Sequence, residues 1–412
     1  MHGFTRRQTV AAALAWLDAH ISALNSETVP LRAAAGRVLA AKVTSHVDVP
    51  GFDRATMDGY ALIAECTDGA TPYNRMPFTV LGDAMAGSPF TRSVGRGEAV
   101  RIMTGAPVPA GCDAVLPAEF VEREAGSEDP ASISRELPIA AIGAVSPGKN
   151  IGRVGEDIVA GTVVLEAGRA LRPQDLGVMS SIGCETATVV RRPHVRLVIT
   201  GNEVLPAGSR PKGFQITDAN GPMLAALAER DGAIVDFPGP IRDDSDVILA
   251  ALTSDADIII VSGGSSVGVE DLSPMLVAKH GELAVHGIAM RPSSPTGMGT
   301  IGSRLVFLLP GNPVSALCAY DFFAGRAIRA LGGRSKEWPY ASVRAPLARK
   351  ISSPIGRLDY ARVRIEDGRV EPLAVSGASV LSSTTRADGF VIVGDDSEGF
   401  PAGADVDVWL YA

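Results

Sequence analysis

From residue 195 to residue 331 the chain alternates apolar runs with helical patterns, and that alternation limits what it can fold into. Residues 195–200, 233–237, 257–261 and 305–309 read as strands, and 221–230, 247–252 and 313–331 as helices. The run Ile258-Ile259-Ile260-Val261 is apolar at every position. A strand of that kind is buried on both faces, as in a parallel sheet with helices on each side. The expectation is a doubly wound α/β fold. Such sheets bind ligands outside the carboxyl ends of their strands. Three loops leave those ends: Thr200-Gly201-Asn202-Glu203, residues 262–271 (SGGSSVGVED) and residues 310–315 (PGNPVS). All three carry glycine with polar groups.

The middle loop has two readings. Its glycines let the backbone turn sharply and bring bare N–H groups to an anion, with Asp271 holding a metal against a phosphate. Alternatively it is a tight βα turn ending in a helix-capping Asp. Further acids occur at Asp58, at Glu156 and Asp157, and at Asp243 and Asp244 just before a helix. One of the last two is expected to be that helix's N-cap. Carboxylates grouped around one phosphate would suit Mg²⁺, which prefers oxygen ligands.

The other regions differ in texture. Residues 1–40 read as helix, loop, helix, with the second helix over 31–41. Residues 45–146 are rich in Pro and Gly, with strands near 78–81, 99–103 and 114–116. Residues 151–190 add short strands and a helix near 173–182. After Trp338, alternating runs at 358–366, 390–393 and 406–410 predict an all-β C-terminal domain.

A net charge of −8 argues against a general nucleic-acid binder. No apolar run approaches a membrane span. Arg6 and Arg7 precede AAALAWL, but Asp18 and His20 interrupt that run, which suits an amphipathic helix better than a signal peptide. A cytoplasmic protein is expected. The cysteines, Cys66, Cys112, Cys184 and Cys318, form no Cys-x-x-Cys pair. Neither G-x-S-x-G nor a P-loop motif occurs.

Seven segments then come in a telling order: FDRATMDGYA (52–61), RIMTGAPVPAGCDAVLPAE (101–119), GEDI (155–158), TDANGPML (217–224), IRDD (241–244), SGGSSVGVED (262–271) and LPGNPVSAL (309–317). Together they resemble the molybdopterin molybdenumtransferases of the MoeA type, similar to the E domain of gephyrin, over essentially the whole chain. The resemblance implies a MogA-like α/β domain at 191–333, mixed α+β N-terminal regions and a C-terminal β-barrel at 334–412. Of the N-terminal regions, one is discontinuous (1–45 and 147–190) and one β-rich (46–146). It implies a homodimer whose cleft lies between the α/β region of one subunit and the 46–146 region of the other. The implied reaction joins molybdate to adenylated molybdopterin, with Mg²⁺, and releases molybdenum cofactor and AMP. A molybdopterin adenylyltransferase and client molybdoenzymes are the implied partners.

The resemblance also implies site residues. Asp58, Thr104, Asp157, Glu203, Asp243 and Asp271 would line the cleft, with Asp243 and Asp271 on the metal. Gly263, Gly264, Ser266 and Gly268, with Pro310, Gly311, Asn312 and Pro313, would hold phosphate and pterin. Arg291, Ser315 and Arg357 would meet molybdate. One departure bears on that oxyanion. The family usually reads A-[MI]-K-P-G-K-P where this chain has Ala289-Met290-Arg291-Pro292-Ser293-Ser294-Pro295. The first cation survives as Arg291, while Ser294 replaces the second lysine. Weaker molybdate binding is expected. The alternative from another class is a non-catalytic paralogue that binds and delivers the cofactor. A bare nucleotide-binding α/β protein is disfavoured by the extra regions.

Overall fold

The computed structural model describes residues 7–123, 138–263, 272–374 and 377–411. The chain forms two compact units, Met1–Val29 with Gly36–Ala40 and Thr188–Ala412, and Pro30–Ala35 with Ala41–Ala187.

The first unit is built on a seven-stranded sheet. Its order is Ile234–Asp236, His194–Thr200, Ile258–Ser262, Arg304–Leu309, Gly297–Ile301 and Glu282–His286, with Pro240–Ile241 also paired to His194–Thr200. The first four strands run parallel, and Gly297–Ile301 runs antiparallel to both of its neighbours, Arg304–Leu309 and Glu282–His286. Side chains alternate between two cores, as a period of two requires. Leu197, Ile199, Ile258, Ile260, Phe307 and Leu309 face one core with the helices Val10–His20 and Asn220–Arg230. Val198, Ile259, Val261, Val306 and Leu308 face the other, with Ser245–Leu252 and Leu272–His280. Burial on both sides explains why this part of the sequence is apolar at every strand position.

The 31–41 segment departs from expectation. Only Leu31–Ala33 forms a short 3-10 helix. Gly36 then adopts φ +73°, a left-handed conformation that ends a helix. Beyond it Val38 and Ala40 pair as extended chain, through Val190 N to Val38 O and Ala40 N to Thr188 O. The alanine content suggested a helix, and tertiary pairing overrode it. The 313–331 helix is present but contains a π-helical turn, Tyr320–Ala324, between Pro313–Ala319 and Gly325–Leu331.

The C-terminal strands follow the order Arg369–Ala374, Leu358–Glu366, Gly389–Val393, Asp405–Leu410, Ser342–Pro346. Leu347 returns to Val370 through a parallel bridge, closing the run on itself as a barrel. Met290–Arg291 adds to Leu358–Glu366 as a further parallel strand.

A buried polar network joins the helices to this barrel. Asp231 accepts from Tyr320 Oη at 2.9 Å and Arg329 Nη1 at 2.7 Å. Arg230 Nη1 donates to Tyr340 Oη, which donates to Asp321 Oδ1 at 2.8 Å. Burial raises the Asp321 carboxyl to about 7, against the lowering hydrogen bond from Tyr340. An unfolded aspartate titrates near ~3.9. Between those values folding takes up a proton, so this contribution is full below the unfolded pKa and is lost as pH rises through 7. Asp321→Asn should therefore flatten the fall in unfolding midpoint between about pH 4 and 7. Parallel melting curves for variant and wild type across that range would reject it.

The second unit centres on a six-stranded sheet ordered Ala114–Pro117, Gly59–Leu62, Glu98–Ile102, Met76–Ala84, Pro138–Ala141, Val121–Arg123. Tyr60, Leu62 and Leu116 face one core, and Ala61, Val100 and Val115 the other.

Candidate functional site

The carboxyl ends of the parallel strands in the first unit are tied together by one side chain. Asn220, the first residue of its helix, is buried and donates through Nδ2 to Ser262 Oγ at 2.9 Å and to Gly311 O at 2.8 Å. Ser262 Oγ in turn donates to Pro310 O at 3.3 Å. Asn220 therefore links the loop after Ile258–Ser262 to the loop after Arg304–Leu309. Gly263 follows at φ +106°, where a Cβ would lie 2.3 Å from Thr200 O, so only glycine fits. Two buried oxygens here, Thr200 Oγ1 and Asn220 Oδ1, have no hydrogen-bond partner among the described residues. Unsatisfied buried polar atoms are uncommon and mark a place for a ligand or water. Asp218 accepts from Gly221 N at 2.9 Å, and burial raises its carboxyl pKa while backbone N–H groups of Gly221 and Asn220 oppose the rise.

Asn312 is the N-cap of the Pro313–Ala319 helix and Pro313 its first residue, a position where a missing N–H costs nothing. Val314 N donates to Ala378 O at 3.0 Å, so the 377–379 loop of the barrel reaches this helix. Ser315 is buried, and its carbonyl accepts from Ser293 Oγ. Glu203 and Asp243 are exposed, and among the described residues nothing engages either carboxylate. Asp243 N donates to Asn202 Oδ1 at 3.4 Å, which holds the two loops together. Asp244, not Asp243, caps Ser245–Leu252, accepting from Asp246 N and Val247 N. Asp243 is thus the acid left available. Gly264, Ser266, Gly268 and Asp271 lie outside the described residues.

The two arginines expected to meet an oxyanion converge on one carboxylate. Arg291 pairs in register with Asp359 across the strands Met290–Arg291 and Leu358–Glu366. Its Nη2 lies 2.6 Å from Asp359 Oδ2, and Arg357 Nε lies 3.0 Å from Oδ1. Ser353 Oγ donates to Oδ2 at 2.9 Å. Asp359 is fully buried, while the guanidiniums remain about a third exposed. The arginines are therefore not free cations; with Asp359 they form a cluster of net charge +1. Ser294 does not offer a lysine-like reach. Its Oγ is buried without a hydrogen-bond partner among the described residues, and its carbonyl accepts from Ile288 N. Ser293 beside it adopts φ +95°.

In the second unit, Asp58 Oδ1 accepts from both Thr104 N and Thr104 Oγ1, each at 2.7 Å. Those bonds, the backbone one first, lower the Asp58 pKa. Asp157 lies in the same unit, where its N–H donates to Val49 O. Its carboxylate has no partner among the described residues, and the pairing of Asp58 with Thr104 does not include it.

Sequence reasoning missed Asn220, Ser262 and Asp359 as site residues. Asn220 lies within the TDANGPML segment, so a signal was present. Asp359 had little, because its role depends on Arg291, 68 residues away, as well as on the neighbouring Arg357. Among the described residues no helix is long and apolar enough to cross a membrane.

Comparison with known proteins covers nearly all of the chain. Residues 8–183 match the model of the MoeA N-terminal region (domain I and II), 196–330 that of a "Probable molybdopterin binding domain", and 344–411 that of the MoeA C-terminal region (domain IV). The chain is 34% identical over 394 residues to molybdopterin molybdenumtransferase 2 of Mycobacterium tuberculosis, covering 93% of this chain and 94% of that one. It is 31% identical over 398 residues to molybdopterin molybdenumtransferase of Staphylococcus aureus, covering 94% and 92%. The solved structure of a molybdopterin biosynthesis MoeA protein from Pyrococcus horikoshii superposes with a TM-score of 0.81 at 32% identity, covering 98% of this chain and 99% of that one. By its three matched regions, its full-length relatives and its fold, the chain belongs to the MoeA family of molybdopterin molybdenumtransferases, enzymes of molybdenum cofactor biosynthesis.

Proposed function

We propose that this chain joins molybdate to adenylated molybdopterin in a Mg²⁺-dependent cleavage of the adenylate, releasing AMP and molybdenum cofactor. The observation that carries this is the strand-end platform of Asn220, Ser262, Gly263 and Gly311. Glycine backbone at the carboxyl end of a parallel strand suits phosphate, which the pterin and the adenylate linkage both carry.

The donor set fits Mg²⁺. Asp243 offers a carboxylate oxygen that no described residue competes for, and Asp271 ends the glycine loop in sequence. Among the described residues no three acidic, His or Cys side chains form a closed metal cage. Mg²⁺ is commonly held by one or two carboxylates with substrate phosphates completing its shell, so an open set suits it. When bound, the ion draws charge off the phosphate being cleaved. Glu203 stands beside Asn202 in the same cleft as a further acid. Arg291 and Arg357 orient molybdate, the substrate dianion, with their remaining N–H groups, while Asp359 fixes both guanidiniums. Incubation of purified protein with adenylated molybdopterin, Mg²⁺ and molybdate tests the reading. AMP release together with cofactor formation is expected. Molybdopterin binding without AMP release would replace it with the carrier function.

The Asp58–Thr104 pair enters this chemistry from the second subunit of a homodimer. Asp58→Ala and Asp243→Asn proteins should each lose activity, and a mixture of the two should regain it at one of the two sites. A fully active monomer in solution would contradict this.

A further inference from the structure

The opposite end of the same parallel sheet carries a concentration of positive charge that the reaction does not use. Arg37, Arg192 and Arg334 line one shallow, solvent-open cleft, with Gly36, Gly232 and Asp231. Arg192 directly precedes the strand His194–Thr200, and Gly232 precedes Ile234–Asp236. The cleft thus lies where the strands begin, while the candidate site lies where they end.

The acids nearby do not balance these arginines. Asp231 is already shared by Arg230 and Arg329. Arg37 pairs with Glu27. Among the described residues Arg192 and Arg334 have no carboxylate partner. Arg192 donates to Gly232 O and Ala233 O, and Arg334 to Arg230 O and Gly36 O. Those bonds hold the guanidiniums in place without neutralising them. Burial lowers the Arg334 pKa; Asp231 opposes this, and the neighbouring Arg192, Arg37 and Arg329 lower it further. Packing like charges in a partly desolvated cleft is costly unless an anion joins them. Arg37 Nε and Nη1, Arg192 Nη1 and Arg334 Nε carry no hydrogen bond among the described residues and can donate to such an anion. Guanidinium forks match the oxygens of phosphate.

We propose that this cleft is a binding site for a phosphate dianion, free or as the monoester of a nucleotide, separate from the site of molybdenum insertion. Carbonyl bonding positions the arginines, and the anion supplies the missing negative charge. The site needs no residue of the catalytic loops.

Calorimetric titration of the whole protein with inorganic phosphate, and separately with AMP, tests this. On the proposed function phosphate also binds at the strand ends, so the informative quantity is the binding step that differs between wild type and the variants Arg192→Gln and Arg37→Gln. Each variant should weaken one phosphate-binding step by about tenfold or more, as expected for a lost charge-assisted hydrogen bond, and leave the other unchanged. The lost step should also weaken as NaCl rises. Arg37→Gln removes the Glu27 pair and one bond to Val190 O and is the control for misfolding of Arg192→Gln; thermal unfolding without phosphate confirms the fold of each. If AMP shows the same lost step, the site takes monoesters; if only inorganic phosphate does, it takes the free ion. Identical titrations of wild type and Arg37→Gln with both ligands would overturn the proposal.

Discussion

Gly263→Ala should abolish cofactor formation and lower the unfolding midpoint. The residue adopts φ +106°, and an added Cβ would lie 2.3 Å from Thr200 O and 2.9 Å from Thr200 Oγ1. The backbone conformation alone costs a non-glycine residue roughly 1–3 kcal/mol. The steric contact adds to that, because Thr200 O is backbone at the end of a central strand and cannot swing aside. Relief requires the Ile258–Ser262 and His194–Thr200 strand ends to separate, which would also disturb the Asn220 bonds. A shift of an ångström in a catalytic platform is enough for about a hundredfold loss of rate. AMP release and urea unfolding of the variant measure the two effects. Wild-type values in both would mean that the strand ends tolerate the methyl group and do not form the platform described.

The second large effect belongs to Asp359→Ala. Asp359 accepts hydrogen bonds from Arg291, Arg357 and Ser353 while itself fully buried. Removing one partner of a fully buried ion pair costs about 3–5 kcal/mol. Here the guanidiniums are 32% and 30% exposed, so water offsets part of the loss and about 2 kcal/mol is expected. The functional loss should be larger than the stability loss suggests. Both arginines would lose their orientation together, and the molybdate concentration for half-maximal cofactor formation should rise at least about tenfold. Asp359→Glu, which keeps the charge, should recover part of it. A molybdate dependence unchanged in Asp359→Ala would remove the arginine pair from the oxyanion site.

The legibility of this site followed from the range of the interactions involved. The glycine at position 263 and the loop beginning Pro310-Gly311 were readable because a strand followed by a glycine-rich turn is a local pattern. Asp244 as a cap was readable as one of two adjacent acids, and only the hydrogen bonds to Asp246 N and Val247 N chose between them. Arg291 and Arg357 were expected at the oxyanion through family resemblance, but their shared carboxylate was not. The pairing of Asp359 with Arg291 depends on a parallel strand contact between residues 68 apart. Nothing in the neighbourhood of either residue announces it. Residues 31–41 misled for the converse reason: their alanines favour a helix, while the pairing of Val38 with Val190 favours extended chain.

The sequence by itself determined the order of elements, the two-sided sheet and the family, because these rest on hydrophobic periodicity and on short motifs whose residues are neighbours along the chain. The tertiary structure alone decided which polar groups meet. It joined Asn220 to Ser262 and Gly311, Asp58 to Thr104, and Arg291 to Asp359. It also gathered Arg37, Arg192 and Arg334 at the other end of the sheet. Hydrophobic burial needs only a pattern, and many residues share it. A hydrogen bond needs two particular atoms within about 3 Å, and for residues far apart in the chain only the completed packing supplies that distance.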